Sequence, residues 1–114
     1  MSTKPPQNGA MDFTAASERA MQLRSKYQQL ETLYHKDVWT TEEDMLAFTT
    51  DVGALGRLVM AAEGRWIQDG DVQADLGSKM GECLWWLLVL SARLEVDITE
   101  AFTSFIDKRN ADLA

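Results

Sequence analysis

From Phe13 onward, apolar side chains fall at Phe13, Ala16, Ala20, Leu23, Tyr27, Leu30 and Tyr34, an unbroken alternation of three and four residues. Only an α-helix returns side chains to one face at that spacing. The run therefore predicts a helix ending near His35 to Asp37. Its stripe is narrow, which suits packing along one neighbouring helix at a shallow angle, as in bundles. Both prolines lie within the first six residues, so no proline interrupts a helix farther along the chain.

Three more helices are signalled by their caps. Thr40-Thr41-Glu42-Glu43 reads as a capping box, with the Thr40 hydroxyl accepting from the third helical amide and Glu43 reaching back. The stripe Met45, Phe48, Val52, Leu55, Val59 and Ala62 follows, with Gly64 suited to a left-handed C-terminal cap. Arg65 to Asp71 contains the turn sequence Asp69-Gly70-Asp71 and reads as a loop in which Asp71 caps the next helix. That third helix is expected from about Val72 to Leu94. Its half from Leu84 to Leu90 is apolar on all sides and demands cover all round. Asp97-Ile98-Thr99-Glu100 opens a shorter fourth helix with Ile98, Phe102, Phe105 and Ile106 on one face, and Lys108 and Arg109 near its C-terminus complement the helix dipole. No strand-like alternation or internal repeat accompanies these signals, and the expected fold is an all-α four-helix bundle.

The chain has 114 residues, room for one domain. Residues 1–10, polar and holding Pro5-Pro6 and Gly9, are expected to form a flexible tail without the order of a secretory signal, leaving 11–114 as a single helical domain. A formal charge of −7 argues against duplex nucleic acid or an anionic membrane as a partner, since both call for a cationic patch. Leu84 to Leu90 is far too short to cross a bilayer. Cys83 is the only cysteine, so neither an intrachain disulfide nor a multi-cysteine zinc site can form, and a cytoplasmic setting is expected. The apolar third helix and the seam of the first exceed what four helices in one subunit comfortably bury, which predicts a homo-oligomer, a dimer or tetramer, with Trp85 or Trp86 at a helix contact.

Several residues have a bland reading that outweighs a chemical one. Glu42, Glu43 and Asp44 sit in a first turn, where capping and dipole compensation explain them. His35 has no partner at metal-ligand spacing. Cys83 has apolar neighbours that raise a thiol pKa, so it reads as core. Trp85 and Trp86 point about 100° apart on a helix, so at most one faces a ligand. Arg57 and Arg65 are the cations of most interest, because arginine binds phosphate oxygens bidentately.

The fragments Asp51-Val52-Gly53, Leu55-Gly56-Arg57-Leu58-Val59-Met60-Ala61, Glu63-Gly64 and Cys83-Leu84-Trp85, with Leu94 to Ile98 and Glu100-Ala101-Phe102, resemble the small single-domain branch of the MazG-like nucleotide pyrophosphohydrolases. The resemblance spans roughly Trp39 to Phe105. In that family two helices carry Glu-Glu-x-x-Glu and Glu-x-x-Asp motifs whose carboxylates hold magnesium, and the reaction converts a nucleoside triphosphate to a monophosphate and pyrophosphate. Here the first motif reads Thr50-Asp51-Val52-Gly53-Ala54 and the second Lys79-Met80-Gly81-Glu82. The resemblance implies Asp51 and Glu82 as the remaining metal ligands, with Arg57, Arg65 and Lys79 as substrate-binding cations. If the site is active it implies magnesium, with manganese as a substitute, and otherwise no cofactor. Ala54 supplies no ligand, and Lys79 brings positive charge where a divalent ion would sit, bends away to solvent and leaves a weakened site, or pairs internally with Asp51 or Glu82. The implied function is a nucleotide pyrophosphohydrolase-family protein with catalysis impaired or lost. The alternative is a non-catalytic helical module that binds a nucleotide or serves assembly.

Overall fold

A computed structural model describes residues 11–35 and 37–114; the expected tail at 1–10 lies outside the described residues. The chain forms four helices, α1 (Phe13–His35), α2 (Thr41–Ala62), α3 (Val72–Arg93) and α4 (Ile98–Asp112), and the described residues contain no strand. Their boundaries follow local chemistry. The Thr40 hydroxyl accepts from the Glu43 amide while the Thr40 amide donates to the Glu43 carboxylate, completing the capping box. Asp71 and Asp97 cap α3 and α4 by accepting from the amides of Ala74 and Glu100.

Both central helices end in the same way. After α2, the Gly64 and Arg65 amides donate to the carbonyls of Ala61 and Met60. After α3, Glu95 and Val96 donate to those of Ala92 and Ser91. These crossed pairs form the Schellman motif, which needs a left-handed residue just beyond the helix. Gly64 takes that conformation freely at φ 73°, whereas Glu95 holds φ 58° with a side chain that crowds its own backbone.

The central seam lies between α2 and α3, which run antiparallel: Arg93 at the end of α3 meets Asp44 at the start of α2, and Trp86 meets Asp51 one step inward. The α2 residues on this seam, Asp44, Asp51 and Leu58, recur every seven positions. α3 answers with Lys79, Cys83, Trp86, Val89 and Arg93, at three- and four-residue spacing. Leu88, Val89 and Leu90 are buried, with Val89 fully enclosed. Of the described helices α2 alone is long and apolar enough, by length and composition, to cross a membrane. Its Asp44 and Asp51 are paired with side chains of α1 and α3, which ties it into the bundle.

Two expectations about burial fail, for a shared reason. On α1 the enclosed positions are Ala20, Arg24 and Glu31, while Leu23, Tyr27, Leu30 and Tyr34 of the apolar stripe are exposed. On α2 the seam likewise runs beside the apolar stripe, and Met45, Val52 and Val59 face outward. In both helices, ion pairs between helices occupy the contact line and turn the apolar stripe aside. α4 does not close the domain. It has no buried residue and meets the rest chiefly through α1, where Phe13 and Phe102 stack edge to face at 5.8 Å.

Candidate functional site

Two charged clusters sit on the α2–α3 seam. In the first, Lys79 Nζ donates to Asp51 Oδ1 at 3.2 Å across the helices and to Glu82 Oε1 at 2.6 Å on its own helix. The other oxygen of Asp51 accepts from the Trp86 indole N–H at 2.7 Å. Three residues apart on a helix means one shared face, which is why Lys79 and Glu82 meet the same carboxylate of α2. Burial alone would raise the Asp51 carboxyl, but the Trp86 hydrogen bond and then Lys79 outweigh it and hold the group below the ordinary carboxylate range. Glu82, against a smaller opposing effect of burial and with help from Asp51, raises the Lys79 ammonium above its usual value. The neighbouring Cys83 thiol is pushed up, first by burial and then by the Asp51 charge. It is a core residue rather than a thiolate.

Four of the five carboxylate positions of the two motifs converge, whereas Thr50 lies on a separate depression with Trp39 and Glu43. A cavity of about 420 Å³ is lined by Ala54, Arg57, Asp75, Lys79 and Glu82, and Asp51 adjoins it through its bond to Lys79. Magnesium takes hard oxygen ligands in a near-octahedral set. Here both Asp51 oxygens and one of Glu82 are held by N–H donors, Ala54 offers none, and an ammonium lies between the carboxylates. Among the described residues, no three histidine, cysteine or carboxylate side chains come together as a metal site requires. The residues present do not fit a divalent-cation centre.

The expected cations separate. Arg57 lies on the cavity with its guanidinium 4.1 Å over the Trp66 ring, a cation–π arrangement that fixes its direction. Arg65 does not join it. As the last residue of the Schellman turn it leaves the helix axis, and it borders a separate shallow depression with Gly64, Trp66 and Ile67.

The second cluster carries a role that the acidic triad at the start of α2 did not suggest. Glu42 and Glu43 remain at the surface, but Asp44 is wholly buried. Arg24 clamps it side-on, Nε to Oδ2 at 3.2 Å and Nη2 to Oδ1 at 3.0 Å, and Arg93 reaches Oδ2 at 2.7 Å. Arg24 also forks onto both oxygens of Glu31 at 2.9 and 3.2 Å. Glu31 Oε1 further accepts from the Trp39 amide at 2.8 Å, while Arg93 donates to the Trp39 carbonyl at 2.9 Å. Two cations and two carboxylates thus cancel in charge and pin the α1–α2 connection. Burial works against the charged Arg24, yet Asp44 and Glu31 overcome it and raise its pKa. The one available sequence signal was the spacing of Arg24 and Glu31, opposite charges seven residues apart on one helix face.

A pH dependence follows from the first cluster. Asp51 is depressed, so its contribution to stability is present above its unfolded pKa and is lost as pH falls through the lower folded value. Lys79 is raised, so its contribution is complete below its unfolded pKa and is lost as pH rises through the higher folded value. Thermal unfolding across pH should therefore show wild type exceeding Asp51→Asn by a constant margin from about pH 5 to 9. That margin should shrink below about pH 4. A margin unchanged down to about pH 2 would mean that Asp51 is not held in this pair.

Compared with family models, curated proteins and solved structures, the sequence matches none.

Proposed function

We propose that this chain is a MazG-like helical module in which metal-dependent pyrophosphohydrolysis has been lost and which works as a homo-oligomer. The observation that carries the reading is the Lys79 ammonium, bonded at 3.2 and 2.6 Å to Asp51 and Glu82. These are the two carboxylates that the resemblance assigns to metal. An internal cation neutralises one of them and leaves no free donor set for a divalent ion. The charged residues that line the cavity, Asp75 and Glu82 against Arg57 and Lys79, balance one another, so it holds no excess positive charge for a triphosphate.

Exposed apolar surface supports the assembly half of the reading. Leu23 on α1, Leu84 and Leu87 on α3, and Phe102 and Phe105 on α4 are all available. A second copy would cover them without requiring a cationic partner surface.

The test is a panel of nucleoside triphosphates with magnesium or manganese, monitored for pyrophosphate, alongside sedimentation at micromolar concentration. No divalent-dependent release and a mass of two or four chains are expected. Vigorous release abolished by Asp51→Ala would overturn the catalytic half, and a monomer would overturn the assembly half.

A further inference from the structure

Next to the first cluster, between α1, α3 and the α1–α2 connection, lies a second cavity of about 340 Å³ whose walls are mostly aromatic: Tyr27, Tyr34, Trp39, Trp85 and Trp86. Tyr27 and Trp85 have ring centroids 5.6 Å apart at 49°, and Trp85 and Trp86 are 4.6 Å apart at 48°. Mutually inclined rings of this kind make a concave surface instead of a flat stack. Both indole N–H groups are engaged elsewhere, Trp85 with the Ala20 carbonyl at 3.0 Å and Trp86 with Asp51. They therefore bring no spare donor for an anion. Trp39 is held in place by its backbone bonds to Glu31 and Arg93, so the buried ionic network fixes this wall.

The charges on the cavity decide what it can hold. Its one cation, Arg24, is spent on Asp44 and Glu31. Glu82 lies on its rim with a side chain 42% exposed, and the cluster of Asp51, Glu82 and Lys79 retains one uncompensated negative charge. Aromatic faces are electron-rich and attract cations, most strongly those that shed water easily. A phosphate would find no free cation here. We infer that this cavity binds a small organic cation of the quaternary or methylated ammonium class, with its onium group against Tyr27, Trp85 and Trp86 and its charge balanced by Glu82. The volume leaves room for an apolar substituent on the ammonium. This inference does not depend on the lost-catalysis reading, because none of its contacts requires a metal or a nucleotide.

The experiment titrates the intact protein with benzyltrimethylammonium chloride at constant ionic strength, following tryptophan fluorescence and calorimetric heat. The uncharged 3,3-dimethylbutanol and adenosine serve as comparison ligands. Saturable binding of the ammonium is expected, with both uncharged ligands at least tenfold weaker. Tyr27→Leu, at a half-exposed position, should weaken the ammonium at least tenfold with helicity unchanged by circular dichroism. Trp85→Phe, which keeps a ring in the wall, should weaken it less than Trp85→Leu. Equal binding of 3,3-dimethylbutanol would show an apolar pocket without charge selection and overturn the proposal. Tighter binding of adenosine than of the ammonium would reassign the cavity to a planar base, and an affinity indifferent to Tyr27→Leu would remove the cavity as the site.

Discussion

Asp44→Ala should cost about 3–5 kcal/mol, the range for removing one partner of a buried ion pair and stranding the other. Asp44 is wholly enclosed, and it receives Arg24 through two N–H groups and Arg93 through a third. Its loss leaves two guanidinium groups with only Glu31 in the cluster to answer them. A domain of this size has about 5–15 kcal/mol in all, so the variant should lose a large share of its stability and release the Trp39 connection that Arg93 holds. Denaturant titration of Asp44→Ala beside Glu42→Ala, an exposed acidic neighbour in the same helical turn, measures the effect. Glu42→Ala should shift stability by no more than about 0.5 kcal/mol beyond any dipole contribution. Equal midpoints for the two variants would show that Asp44 is a solvated first-turn carboxylate after all.

The difference between those two neighbours marks where sequence reading stops. Helix positions were open to it because their signals are local: the Thr40 and Glu43 pair, Asp71 and Asp97 as caps, and Gly64 at the positive φ that ends α2. Each signal is satisfied within a few residues, and no distant part of the chain can cancel it. Glu42, Glu43 and Asp44 are indistinguishable on that scale. What separates Asp44 is an arginine 20 residues earlier and another 49 residues later, and neither can be assigned from periodicity.

The same limit explains the misplaced faces of α1 and α2. Hydrophobic periodicity assumes that the contact line is apolar, whereas here Arg24, Glu31, Asp44, Asp51, Lys79 and Arg93 occupy it as matched charges. Once paired, such groups are compatible with burial, but unpaired they are costly, so their location follows from the fold rather than from their own residue type. The candidate site was partly legible by another route. The motif positions directed attention to Asp51, Ala54, Lys79 and Glu82, and internal pairing of Lys79 was one of the expected outcomes. The aromatic cavity was hidden because Tyr27, Trp39 and Trp85 come from three separate segments, and adjacency of Trp85 and Trp86 along the helix suggested divergence. Their rings nevertheless lie 4.6 Å apart, since an indole is long enough for its side-chain torsions to bring neighbouring rings together.

Lys79→Glu combined with Ala54→Glu should raise divalent-cation affinity well above that of the natural sequence. The two changes remove one positive charge and add two negative ones, placing carboxylates at positions 54, 79 and 82 on one cavity beside Asp51, which the Trp86 N–H still orients. Unit charges about 4 Å apart at an effective dielectric near 20 interact by about 4 kcal/mol, nearly three powers of ten in an equilibrium constant. Replacing the ammonium therefore removes a repulsion large enough to decide whether magnesium binds. Without metal the four carboxylates repel one another, so the double variant should unfold at a lower temperature than wild type. Adding millimolar magnesium should then raise its midpoint, because a ligand that binds only the folded state stabilises it by linkage. The wild-type midpoint should stay constant under the same addition. Pyrophosphate release from nucleoside triphosphates, expected only in the double variant, gives a second readout. If magnesium leaves the double variant's midpoint unmoved, the four positions do not define a metal site. If wild type is stabilised as strongly, Lys79 does not occupy the place assigned to it.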